Sequence, residues 1–146
     1  MRTTHGGITI DDARLPLVDA VFAGTLTPEM YEDAFARYDE IARANRYVVW
    51  RIDMREFNPL AVDAKTRKAA ADVFAKHHDV LVRCSIAEAR VVESALTRHI
   101  LTAFDWLTDA SKWPCKQFAT MSDAEAWLGA RYLDVTGKPL VLPASR

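Results

Sequence analysis

The polar residues with the most chemical reach gather just after one apolar run. Arg46 to Met54, RYVVWRIDM, closes on Asp53 and is followed by Arg55 and Asn58. Open α/β sheets bind ligands beyond the carboxyl ends of their strands. A carboxylate, a guanidinium and an amide collected there would recognise a polar partner. Ser94, together with Arg67 and Arg98 on the helices that leave the same edge, would add positive charge beside helix N-termini and make an anion or phosphopeptide site. Thr25, Thr27 and Ser122 belong to the same edge. Each residue also has a structural role open to it: Thr27, Ser94 and Ser122 as caps, Asn58-Pro59 as turn chemistry, and the arginines as surface ion pairs worth about 0 to 1 kcal/mol.

His77-His78, with Cys84 beyond, has the look of a metal-site fragment. Adjacent histidines on a helix point apart, however, and a structural zinc needs four convergent ligands. His77 continues an apolar stripe and reads as a partly buried core histidine, and Cys84 and Cys115 read as small core residues. No metal is expected. Five glycines leave little material for a phosphate-binding loop, and no nucleophile elbow or dinucleotide fingerprint occurs. The chain therefore reads as non-enzymatic, with no catalytic residues and no cofactor.

The elements that would position these residues follow from periodicity. In the Arg46–Met54 run, alternation puts Val48, Trp50, Ile52 and Met54 on one face and Tyr47, Val49, Arg51 and Asp53 on the other. Apolarity this continuous marks an interior strand. Gly7 to Asp11 and Leu15 to Gly24 read as a pair of antiparallel strands. Thr27-Pro28-Glu29 opens a helix whose Tyr31, Ala34, Phe35, Tyr38, Ile41 and Ala42 form one stripe. Ala64 to Lys76 gives a second helix, and Val82, Cys84 and Ile86 suggest that the next strand begins near Val80. Ser94 would cap a third helix, Cys115 to Thr120 is a short strand, and Ser122-Asp123-Ala124-Glu125 has the form of a capping box for a fourth helix. This order implies an α/β fold with a largely parallel sheet of about four to five strands, an N-terminal antiparallel strand and about four helices mostly on one face.

With 146 residues, 50% of them apolar and 27% charged, the chain has the composition of one globular domain, 1–146, with an irregular tail over 134–146. A net charge of −1 gives no bulk attraction to nucleic acid. No apolar run approaches the ~20 residues that span a bilayer, so membrane insertion is not expected. Two cysteines and no apolar leader fit a cytoplasmic protein.

The element order, with FAGTLTPEMYEDAF, the WRIDMREFNPL turn, RCSIAEARVVESALTRHILTAFDWL and FATMSDAEAWL, resembles the STAS-like superfamily over about Ile8 to Leu133. That superfamily holds bacterial anti-sigma-factor antagonists, transporter domains and stand-alone proteins of unassigned function. The resemblance implies a regulatory protein-interaction module with a protein partner, a homodimer among the candidates. In regulatory members a serine or threonine near the start of the helix after the central strand is phosphorylated. Here Asp53 to Asp63 has no Ser or Thr, and Thr66 is the nearest hydroxyl; Thr66 and Ser94 are the two whose phosphorylation the sequence leaves open. The phosphoswitch is therefore not expected. Helices stacked on one face would leave Asp19, Arg51 and Arg83 on an open sheet face, unless the tail covers it. The superfamily's grouping with lipid-carrier-like domains, and a content of four Trp, four Tyr and six Phe, give an alternative: a carrier or sensor of a small apolar or amphipathic ligand. A cavity of a few hundred Å3 would mark the carrier, and a filled core beside a flat exposed patch the interaction module.

Overall fold

A computed structural model describes residues 1–108 and 113–141, with residues 103–108 described by their helical backbone alone. The apolar, β-branched runs form a sheet of six strands in the order of the chain: β1 (Arg2–His5), β2 (Ile8–Arg14), β3 (Leu17–Phe22), β4 (Val48–Asp53), β5 (Ser85–Val91) and β6 (Cys115–Phe118). β1, β2 and β3 are antiparallel neighbours, and β3 to β6 run parallel. The α/β class is as the pattern predicts, but the sheet is larger. The added strand, β1, is RTTH. It carries no apolar alternation and pairs with β2 across the turn at Gly6, whose φ of +62° suits glycine.

The helices form where caps and stripes coincide. In α1 (Pro28–Ala44) the Thr27 hydroxyl accepts from the Met30 amide at 3.3 Å, Pro28 opens the first turn, and Tyr31, Ala34, Tyr38, Ile41 and Ala42 are buried. In α2 (Ala64–Cys84) the Asp63 carboxylate accepts from the Thr66 amide at 2.7 Å. α3 spans Ala95–Thr108 and α4 spans Met121–Thr136. Thr120, one residue before the helix, caps α4 through the Asp123 amide at 3.2 Å, in place of the expected Ser122. Irregular chain begins at Gly137, so the first residues of the expected tail are helical.

Two expectations are corrected here. The segment from Val80 to Cys84 is the end of α2, and β5 starts only at Ser85. Its alternation is coincidental: Thr66, Ala70, Val73, Val80, Leu81 and Cys84 continue a single buried stripe at helical spacing. The second correction concerns the faces. One core cluster joins α1, α2 and Leu101 of α3 to Val48, Trp50 and Ile52. A second joins Ala124 and Leu128 of α4 to Leu17, Val49, Ala87, Ala89 and Val91 on the opposite face. α4 thus covers much of the sheet surface expected to be open, and Leu140 packs against the same cluster.

Candidate functional site

Alternation along β4 and β5 decides what the α1–α2 side of the sheet presents. Trp50 lies opposite Glu88 and Ile52 opposite Arg90 in parallel register, so the two charged side chains share the face of the two large apolar ones. They do not meet a filled core. Between this face and helices α1, α2 and α3 lies a cavity of about 330 Å3.

Its walls are built element by element. β3 contributes Phe22, and α1 contributes Tyr31, Phe35 and Tyr38. β4 and the loop after it give Trp50, Ile52, Met54 and Phe57. Ala70, Phe74 and Leu81 of α2 form the roof, with Ile100 and Leu101 of α3 and Trp113 beside them. The rings hold one another edge to face: Tyr38 on Trp50 with centroids 5.0 Å apart, Phe35 on Tyr38 at 5.2 Å, and Phe35 on Phe74 at 6.2 Å. Each such contact adds about 0.5–1.5 kcal/mol beyond the area it buries. An aromatic lattice of this kind can hold its shape around a void. The Trp50 indole N–H is satisfied away from the void by the Ser85 hydroxyl at 2.7 Å.

Polar groups on this wall are few. Glu88 is 8% exposed, and the Arg90 side chain is 15% exposed. The Arg90 Nε donates to Glu88 Oε2 at 2.6 Å, and the Cys115 thiol donates to the same oxygen at 3.3 Å. Holding an ion pair this far from bulk water is costly to folding, since desolvation offsets much of the mutual attraction. Nearby, the Tyr38 hydroxyl is buried with no hydrogen-bond partner among the described residues. Burial, and next the Glu88 carboxylate, push its ionisation far above the ordinary phenol value, while burial raises Tyr31 to about 12.

The residues singled out in the sequence fall into three places. Asp53, Arg55, Asn58, Ser94 and Arg98 lie on the strand-end edge as expected, each in local bonds. Arg55 Nη2 donates to Asp53 Oδ2 at 2.8 Å, and this guanidinium holds the Asp53 carboxyl below its usual range. Asn58 Oδ1 accepts from the Leu60 amide in the 3-10 turn Pro59–Ala61. Ser94 Oγ accepts from the Thr97 amide, and Arg98 donates to the Val92 carbonyl. Arg67 alone among the six lines the cavity, where it also donates to the Val62 carbonyl at 3.2 Å.

Asp19 and Arg51 do share a sheet face, but α4 meets them there. Arg51 Nε donates to Asp19 at 2.6 Å and its Nη1 donates to Glu125 of α4 at 2.5 Å. Arg83 sits in the last turn of α2 rather than on the sheet, because the helix runs on to Cys84. His77 pairs with Asp39 of α1 at 2.7 Å, bridging the two helices, and His78 turns to Asp79. Cys84 is buried, with its thiol pushed up by that burial. Among the described residues no helix is long and apolar enough to cross a membrane.

Glu88 and Arg90 were not singled out in the sequence reading, although a signal existed. In SIAEARVV two charges sit two apart inside a strand that is otherwise apolar. Their common face follows from alternation; that a void lies over that face does not.

Comparison of the chain with protein-family models, with curated proteins and with solved structures returned no match.

Proposed function

We propose that this protein is a cytoplasmic, STAS-like binder of a small amphipathic molecule, acting as its carrier or sensor rather than as an enzyme. The observation that carries the reading is the cavity of about 330 Å3 walled by aromatic side chains. Its volume falls in the range of about 300–1,000 Å3 typical of small-molecule sites. Leaving such a space empty costs folding energy, by about 24 cal/mol for each Å3 in cavity-forming substitutions. A bound apolar body would recover those contacts. The site also lies toward the carboxyl ends of β4 and β5, where α/β sheets bind ligands.

A second reading, a protein-interaction module, draws support from the strand-end edge. Leu60 in the 3-10 turn is 70% exposed and Leu96 in the first turn of α3 is 56% exposed, and the two elements pack together. Native mass spectrometry of protein purified gently from its own host separates the readings. A monomer carrying a discrete extra mass, released when the protein is denatured, is the expected result. A dimer or a hetero-complex at the bare sequence mass would overturn it in favour of the interaction module.

A further inference from the structure

One wall residue marks where the chamber meets water. Arg67, in the first turn of α2, is the exposed member of the described lining; the others are buried or half-buried. Three charged side chains line the space, Arg67, Glu88 and Arg90, two cations and one anion. Resting on the reading of the chamber as a ligand site, we infer that its ligand is an amphipathic monocarboxylic acid, with its apolar body among the aromatic rings and its carboxylate on Arg67 at the mouth.

The inner charges are already engaged. Arg90 Nε donates to Glu88 Oε2 at 2.6 Å, the Cys115 thiol donates to the same oxygen, and Arg90 is held by more than the Glu88 bond. No ligand contact is therefore assigned to either side chain. Arg67 differs. Its Nη1 donates to the neutral Val62 carbonyl at 3.2 Å, while Nε and Nη2, the two donors that grip a carboxylate side-on, have no partner among the described residues. Asp63, one turn earlier, feels the charge of Arg67 but holds the Thr66 amide instead.

Position separates the two ends of the ligand. Arg67 follows the loop that leaves β4, so it stands at the carboxyl edge of the sheet. Glu88 lies three residues before the end of β5 at Val91, about 10 Å along the strand from that edge. A carboxylate at the mouth gains a cationic partner, stays partly hydrated and keeps its distance from Glu88. An ammonium there faces Arg67, and one pushed inward adds a third cation beside a carboxylate that is already bonded. A neutral amide of the same shape fills the chamber equally well but forgoes the charge-assisted bond, roughly twice as strong as a neutral one.

Calorimetric titration of the full chain at neutral pH with 2-naphthoate, 2-naphthamide, 2-naphthylmethylammonium and acetate tests this. 2-Naphthoate should bind tightest, by about tenfold over the amide and by more over the ammonium. Acetate, which has the head without the body, should bind at least about a hundredfold more weakly. Arg67→Gln, a change at an exposed position, should cost 2-naphthoate about tenfold and leave 2-naphthamide within about twofold. Added salt should erode 2-naphthoate affinity in the wild type and not in the variant. If the amide or the ammonium equals or exceeds 2-naphthoate, or if Arg67→Gln leaves its affinity unchanged, the inference is overturned while the cavity reading stands. If acetate matches it, or if no naphthyl probe binds, the cavity reading falls and the inference with it.

Discussion

At the scale of single residues, the tyrosines of the cavity wall report how dry the chamber is. Tyr31 is pushed to about 12 and Tyr38 further still, in both cases chiefly by burial. In the unfolded chain both phenols titrate near pH 10. Between pH 10 and about 12 the unfolded state therefore loses protons that the folded state keeps. Stability is full below pH 10 and falls as pH rises, by about 1.4 kcal/mol per unit for each tyrosine. Urea midpoints measured across that window should fall more steeply for the wild type than for Tyr31→Phe, by roughly that slope. Parallel curves would mean that water reaches the phenol through the chamber. Tyr38→Phe carries a further expectation near neutral pH: its hydroxyl has no partner among the described residues, so removing it should leave stability unchanged or raise it by about 1 kcal/mol.

At the scale of elements, what was legible and what was not divides along physical lines. β4 was legible because it is buried on both faces, and its alternation correctly put Trp50 and Ile52 on one side and Val49 and Arg51 on the other. The end of α2 was not, since LVRCSI satisfies period 2 as well as the continuing helical stripe, and only packing against α1 decides between them. The face of α4 was hidden for another reason. Handedness fixes the side only of a helix that links two parallel strands, as α1, α2 and α3 do, and α4 follows the last strand. It is free to cover the other face, where an apolar row and Arg51 receive it. The Arg51 side chain is 7% exposed between Asp19 and Glu125. Arg51→Ala leaves two carboxylates facing each other without their cation, and should cost about 3 kcal/mol in urea unfolding, the lower end for a broken buried pair because both acids are partly solvated. Hydrogen exchange should quicken in α4 before the rest of the fold. A loss below about 1 kcal/mol would place this triad with surface ion pairs.

At the scale of the whole molecule, the six-stranded sheet with helices on both faces is ordinary α/β economy, yet its larger core is not closed. α1 and α2 pack against each other at their shared aromatic and histidine contacts, and α1 reaches the sheet through Tyr38 on Trp50, while the space beside these rings, lined by Glu88 and Arg90, is left unfilled. If that space is retained for a ligand, filling it should raise stability and abolish binding together, the usual trade between the two. Ala70 is the position to use: it is buried on α2 and lines the chamber. Leucine there is also a good helix former. Ala70→Leu should raise the unfolding free energy of the ligand-free protein by about 0.5–2 kcal/mol while lowering, by about tenfold or more, the share of protein that carries the extra mass after purification from its host. Thermal and urea unfolding give the first quantity and native mass spectrometry the second. A destabilisation of about 1–3 kcal/mol, the signature of overpacking, would mean that the helices already close on the sheet and that the chamber is not held open in solution.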